Sequence, residues 1–192
     1  MTPLILDVLE KYKVNGTFFL IGQLVDSNER SKNLVRQTYE DGNAIGNHTY
    51  THNLRSLYPN NTINVSYIMS ELNHTENSLR TVLGPNFGTS LLRLPGGLMS
   101  RTHYKDPNIN ELASKLQEGN MHTIDWNSSV LDAEGGKKNS NQLLNSLKAT
   151  VGSQEKVVIL MHDTYGKEAT AKALPKIIEY LKANGYEFKT LK

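Results

Sequence analysis

Two histidines four residues apart, His48 and His52 in the run Gly46-Asn47-His48-Thr49-Tyr50-Thr51-His52, are the residues whose type and spacing point most directly to chemistry. Neutral imidazole is the commonest side-chain ligand for zinc and its first-row neighbours, and one turn of the intervening residues brings both rings to a single ion. Gly46 permits close approach or an unusual φ, and Ala44-Ile45 reads as the end of a buried strand. The pair would then sit at a strand's C-terminal mouth, where sites in α/β proteins gather. Taken alone, an HxxxH run is also what two polar residues on a loop look like. Three more polar clusters follow apolar runs: Arg93-Leu94-Pro95-Gly96-Gly97, Asp125-Trp126-Asn127 with Asp132 beyond, and His162-Asp163. Singly, Arg93 reads as a structural ion pair, Trp126 as core and His162 as a partner for the backbone. Jointly they put reactive groups at four strand ends, which a barrel would gather on one face.

Such placement needs a regular frame, and the hydrophobic pattern supplies one. A helix opens the chain, with the Thr2 hydroxyl as N-cap, Pro3 at its first position and Leu4, Ile5, Val8, Leu9 and Tyr12 at helical spacing. The apolar run 17–21 predicts a strand covered on both faces, and a helix ending at Asp41-Gly42 leads to a short strand over 44–46. Asn64 is placed to cap a long helix that Gly84-Pro85 stops; a strand over 90–94 then runs into Pro95. Helices near 108–118, 140–151 and 169–183 alternate with strands over 122–126, 157–161 and 186–191, with Pro175 in the last helix's first turns or at a kink. This alternation predicts an α/β fold of right-handed βαβ units and a parallel sheet of six strands, open or closed into a barrel.

The 192 residues suffice for one domain, and no composition break divides them. With 38% apolar and 21% charged residues and a net charge of +2, the chain resembles an ordinary globular protein and gives no argument for nucleic acid as a partner. It has no cysteine, so any metal must be held by His, Asp or Glu. No membrane span and no export signal are read from the chain as written. The Asn-x-Ser/Thr triplets carry no weight in so Asn-rich a sequence.

In order along the chain, TPLILDVLEKYKVNGTFFLIG, GNHTYTH, RLPGG, DWNSSVLDA, LMHD and ALPKIIEYLKANGYEFKTL resemble the polysaccharide deacetylases of the NodB-homology type, carbohydrate esterase family 4. The likeness covers nearly the whole chain, and its motifs together are highly specific. It implies a single domain over 1–192 with a distorted (β/α) barrel. It also implies metal-dependent removal of acetyl groups from polymers such as peptidoglycan, chitin or xylan, placing the protein outside the cell or at its surface. Position by position, His48 and His52 would be metal ligands and His162 the general acid. Asp132 would orient His162, a pairing that favours a protonated imidazole, and Arg93 would hold the base carboxylate. Leu160, Trp126 and Pro95 would line the substrate pocket, although Ala133 stands where the family usually has tryptophan.

One departure is larger. Family members carry a Thr-Phe-Asp-Asp-Gly strand just ahead of the segment matching Thr2-Pro3, its aspartates serving as general base and third metal ligand. These 192 residues contain no Asp-Asp pair, and Asp7 falls on the first helix. The expectation is a fold short of its first strand, with impaired activity and two sheet edges open to pairing, a homodimer included. A non-catalytic carbohydrate-binding or interaction protein on the same fold is the alternative, and a start site set too far downstream is a third reading. Zinc is the first choice of ion, with cobalt, manganese or nickel also suited to two imidazoles.

Overall fold

The computed structural model describes residues 1–191, and their contacts fall into two compact units. One joins Met1–Gly16 to Trp126–Lys189; the other is Thr17–Asp125 with the residues from Thr190.

The second unit is built on a four-stranded parallel sheet in the order β1 (Thr17–Leu20), β2 (Ala44–Asn47), β3 (Leu91–Leu92) and β4 (His122–Thr123). Parallel neighbours need crossovers, and helices supply them. Between β1 and β2 lie α2 (Gly22–Val25) and α3 (Glu29–Glu40), the latter capped by Asn28 accepting from Ser31 N. Between β2 and β3 lie α4 (Leu54–Leu57), a 3₁₀ turn at Pro59–Asn61 and α5 (Val65–Leu83). The Asn64 side chain accepts from Tyr67 N to start α5, and Gly84 at φ 105° ends it. α6 (Leu98–His103) and α7 (Ile109–Glu118) precede β4. Leu57, Ile68, Leu72 and Leu112 at 0% exposure pack with Leu92 and Leu94 under one part of the sheet, and Val25, Val35, Ile45, Leu79 and Val82 form a second cluster.

The first unit contains α1 (Thr2–Tyr12) and a two-stranded parallel sheet of β5 (Ser128–Ser129) and β6 (Ile159–Leu160). Between them runs α8 (Ser140–Val151), opened by a complete capping box of Asn139 and Gln142. After them comes α9 (Glu168–Ala183). Leu143 and Leu147 of α8 interlock with Ala173, Ile177 and Leu181 of α9 around Val130, all 0–2% exposed. Each such leucine or isoleucine is worth about 1.5–3 kcal/mol in burial. α1 is tied to α9 by Lys182 Nζ donating to Tyr12 O at 2.7 Å and by the Tyr12 hydroxyl donating to Glu179.

The parallel α/β character predicted by the alternation is present, as are six strands among the described residues, five of them where the alternation places them. The predicted strand 186–191 has no ladder partner among the described residues. It runs extended, with Leu191 N donating to Thr17 Oγ1 at 3.0 Å. In its place stands β5, two buried serines that carry no apolar signature; the Thr150 hydroxyl fixes them, receiving or donating a bond to Ser128 Oγ and accepting from Ser129 N. Predicted strands also shrink to the residues that find partners, 157–161 to Ile159–Leu160 and 122–126 to His122–Thr123. Thr2 does not cap α1; Met1 holds the N-cap position and the Thr2 side chain bonds Asp163. Pro175 lies mid-helix in α9, which continues through it.

Candidate functional site

His48 and His52 occupy a turn that is held from several sides. β2 delivers it: His48 N donates to Leu20 O at 2.9 Å, one step beyond the ladder. From α2, Gly22 N and Gln23 N donate to Thr49 O and Tyr50 O at 3.0 and 2.9 Å. From α5, the buried Glu71 carboxylate accepts from Tyr50 N (3.0 Å), Thr51 N (2.6 Å) and the Thr51 hydroxyl (2.9 Å). Asn47 accepts from Thr49 N at 3.0 Å and donates to Leu72 O at 2.9 Å. Tyr50 stacks flat on His74, centroids 3.6 Å apart, and its hydroxyl donates to Asp26. This scaffold keeps Thr49 and His52 at φ 65° and 54°, left-handed conformations that cost free energy in non-glycine residues and tend to persist at functional sites. The Thr49 hydroxyl oxygen is buried with no hydrogen-bond partner among the described residues, a further cost borne by the turn.

The two imidazoles lie 4.9 Å apart between centroids, inclined at 62°. His48 Nδ1 is 2.6 Å from Arg93 O, an acceptor, so Nδ1 carries a proton and, in the neutral form of the ring, the lone pair is on Nε2. The Arg93 main chain thus orients His48, while its side chain takes another path. Nε donates to Ile124 O at 2.9 Å and Nη2 to Asp125 O at 3.4 Å, and the guanidinium lies 4.3 Å over the Phe19 ring. Burial lowers the Arg93 pKa to about 10, with Asp125 opposing the fall. Gly46 is what lets Phe19 lie there: the two are register partners, and a Cβ on Gly46 would meet the Phe19 ring at 2.6 Å. Pro95 is buried, its carbonyl accepting from the Tyr58 hydroxyl at 2.9 Å. The Asp125 carboxylate is spent on α6, accepting from Leu98 N and Met99 N at 2.9 and 2.6 Å.

In the other unit, Asp132 and His162 meet. His162 Nδ1 lies 2.7 Å from Asp132 Oδ1, His162 N donates to Oδ2 at 3.0 Å and the Thr170 hydroxyl to Oδ2 at 2.8 Å. The carboxylate side chain is 2% exposed and the imidazole 39%. Burial alone would raise the Asp132 pKa, but the bonds from His162 and Thr170 outweigh it and hold the group below its ordinary value. With Nδ1 committed to Asp132, proton exchange with a substrate falls to Nε2. Leu131, before Asp132, is at φ 57°, so this motif too contains a left-handed non-glycine residue. Leu160 lies on β6 and Trp126 just before β5, both half-buried. Beside His162, burial pushes the Asp163 carboxyl up while the Thr2 bond pulls it back, and its Oδ1 is buried without a partner among the described residues.

A family model described as polysaccharide deacetylase matches residues 1–108, more than half of the chain. The chain belongs to the polysaccharide deacetylase family. Among solved structures, a CE4 esterase of Streptococcus mutans superimposes with a TM-score of 0.90 at 35% identity, covering 100% of this chain and 80% of that one. The deacetylase relatives include a bifunctional xylanase/deacetylase of Pseudobutyrivibrio xylanivorans, 33% identical over 99% of this chain and 27% of its own length. A peptidoglycan-N-acetylglucosamine deacetylase of Bacillus cereus is 32% identical over 97% of this chain and 63% of its length. The chain therefore spans between about a quarter and two-thirds of these two curated relatives.

As a place for a divalent ion, the His48–His52 pair fits in donor chemistry: two imidazoles, with Nδ1 of His48 spent on a carbonyl so that Nε2 would be its ligating nitrogen. It supplies two donors. Among the described residues no group of three His, Cys, Asp or Glu side chains is placed to hold a metal. Sequence reasoning missed Glu71, which positions the turn, and Phe19, which carries Arg93. A sign of the first was available: Glu71 falls on the face of α5 that otherwise reads Ile68, Leu72, Thr75 and Leu79, where an unpaired carboxylate would be out of place.

Proposed function

We propose that this chain is the body of a metal-dependent deacetylase that removes acetyl groups from an N-acetylglucosamine-containing polysaccharide such as peptidoglycan or chitin. The observation that carries the reading is the His162–Asp132 pair: a half-exposed imidazole whose Nδ1 is fixed by a buried carboxylate held in its ionised form. Amide hydrolysis stalls on expulsion of the amine, and an imidazole so oriented delivers a proton from Nε2 to the departing nitrogen or oxygen. Asp132 keeps the ring oriented and stabilises it when charged. His48 and His52 would hold the ion, zinc by preference, which when bound supplies Lewis acidity toward the acetyl oxygen and a water of lowered pKa. The Arg93 guanidinium, buried over Phe19, adds a fixed positive charge suited to an anionic partner. Leu160, Trp126 and Pro95 would contact substrate, as the family resemblance implies. A wall polymer as substrate would put the site of action at the cell surface or beyond.

The general base and a third ligand are not supplied by these 192 residues, which contain no Asp-Asp pair. Assayed alone, the chain would turn over poorly, since base catalysis contributes roughly 10²- to 10⁴-fold. The second reading is a carbohydrate-binding protein on the same fold, without the chemistry. Acetate release from an N-acetylglucosamine oligomer separates the two. The deacetylase reading expects little from the chain alone and at least about 10²-fold more when a Thr-Phe-Asp-Asp-Gly strand is joined ahead of Thr2. No release from the extended form, with oligomer binding intact, would overturn it in favour of the binding protein.

A further inference from the structure

Beside the His162–Asp132 pair, within the same unit, lies a cavity of about 710 Å³ walled by the loop after Asp132 and by the first turns of α8 and α9. That is the size of pockets that take a sugar-sized ligand. Its position follows from the sequence: Ala133 and the Gly135-Gly136 pair put no bulk where a large side chain would fill it, and Gly135 adopts φ 66° to turn the loop back. The turn is closed by Lys138 Nζ, which donates to Leu131 O at 2.9 Å and to Glu134 O.

Charge sets the cavity's chemistry. Lys137, Lys138, Lys167 and Lys172 line it against the carboxylates of Asp132 and Glu168, an excess of two positive charges (4 − 2). Lys138 and Lys167 donate to main-chain carbonyls, which are neutral, and none of the four lysines is in an ion pair among the described residues. The Asp132 carboxylate is 2% exposed with its oxygens taken by His162 and Thr170, so it presents no oxygen to a ligand, and its charge is already counted in the excess of two. The N-terminal ends of α8 and α9 add partial positive charge of the same sign, and α9 has no side-chain cap to absorb it. Lys137 and Lys172 are exposed on the chain's surface and placed to reach a ligand.

We infer that this cavity binds a carboxylate carried by the sugar next to the one whose acetyl group is removed, so that the chain selects an acidic glycan over a neutral one. The inference rests on the deacetylase reading for the role of the neighbouring site, though not for the binding itself. Such a carboxylate could come from a lactyl ether or from a uronic acid.

Calorimetric titration with three oligosaccharides tests it: neutral N-acetylglucosamine tetramer, a tetramer bearing lactyl carboxylates, and one bearing a uronic acid. At low salt at least one acidic oligomer should bind about five- to tenfold more tightly than the neutral one, and which of them does identifies the source. The advantage should shrink as salt is raised and vanish in the double variant Lys137→Glu/Lys172→Glu, or in Lys137→Gln/Lys172→Gln should the charge reversal disturb the fold by circular dichroism. Equal binding of all three by the wild type, or an advantage that survives in a folded double variant, overturns the inference. Acetate release by the form carrying the Asp-Asp strand is measured alongside. Preference without release defeats the deacetylase reading and supports the cavity's role; release without preference defeats the cavity alone.

Discussion

The turn that carries His48 and His52 and the motif that pairs Asp132 with His162 are built on opposite plans. The turn is fixed through its backbone: α2 donates to it, Glu71 of α5 accepts from it, and two of its residues are kept in left-handed conformations. The pair is fixed through one carboxylate and stands next to an exposed, glycine-containing loop. The difference follows from the chemistry each is assigned. Ligands must converge within a few tenths of an ångström, so the main chain beneath them has to be held. A proton donor needs the right charge beside it and access to substrate, and an open flank does not harm it.

Replacing Asp132 by Asn should have the largest effect on that contrast. Acetate release by the form carrying the Asp-Asp strand is expected to fall about 10²-fold or more, with divalent-metal affinity unchanged. A loss of metal affinity in this variant would mean that the two motifs are not separable in the way described. Glu71→Ala should do the reverse. It removes Oε2, the one oxygen that accepts all three bonds from the turn, and metal affinity is expected to drop about 10- to 100-fold while the circular dichroism spectrum stays the same. Gly46→Ala should act through packing, since the added methyl meets the Phe19 ring and Leu91 O, at 2.6 and 3.1 Å. A loss of about 1–3 kcal/mol in unfolding free energy, read as a lower denaturant midpoint, is expected.

The smallest expected effect is on acid stability. The Asp132 pKa is lower in the folded protein than its ordinary value of 3.8, so its contribution is complete above about pH 4 and fades as pH falls through the folded value. Asp163, raised by burial, has the opposite sign: its ionised form is disfavoured in the folded state, and protonation relieves it. Wild type should therefore lose more stability than Asp132→Asn between pH 5 and pH 3, in thermal melts at matched ionic strength. Equal losses would remove Asp132 from the account of the acid limb.

How much of this the sequence carried differs by element, for physical reasons. Helices with local start and stop chemistry were legible nearly to the residue: α8 behind Asn139 and Gln142, and α5 between Asn64 and Gly84. Strands were legible in place but not in extent, because an apolar run such as 157–161 records burial while a ladder needs a partner. β5 was invisible because its serines are held by Thr150, from α8, and α6 because its first turn is bound by Asp125, far along the chain. The candidate side chains were named from the sequence and its resemblance. Their supports were not: Glu71 lies 20 residues from the Thr51 it binds, and nothing local ties them together.

The most direct test of the division of labour is titration of zinc into the wild-type chain and into His48→Ala, His52→Ala and His162→Ala, followed by calorimetry and elemental analysis. One ion per chain is expected, lost or strongly weakened in either of the first two variants and retained in the third. Undiminished binding in the His48 and His52 variants, or its loss on replacing His162, would contradict it.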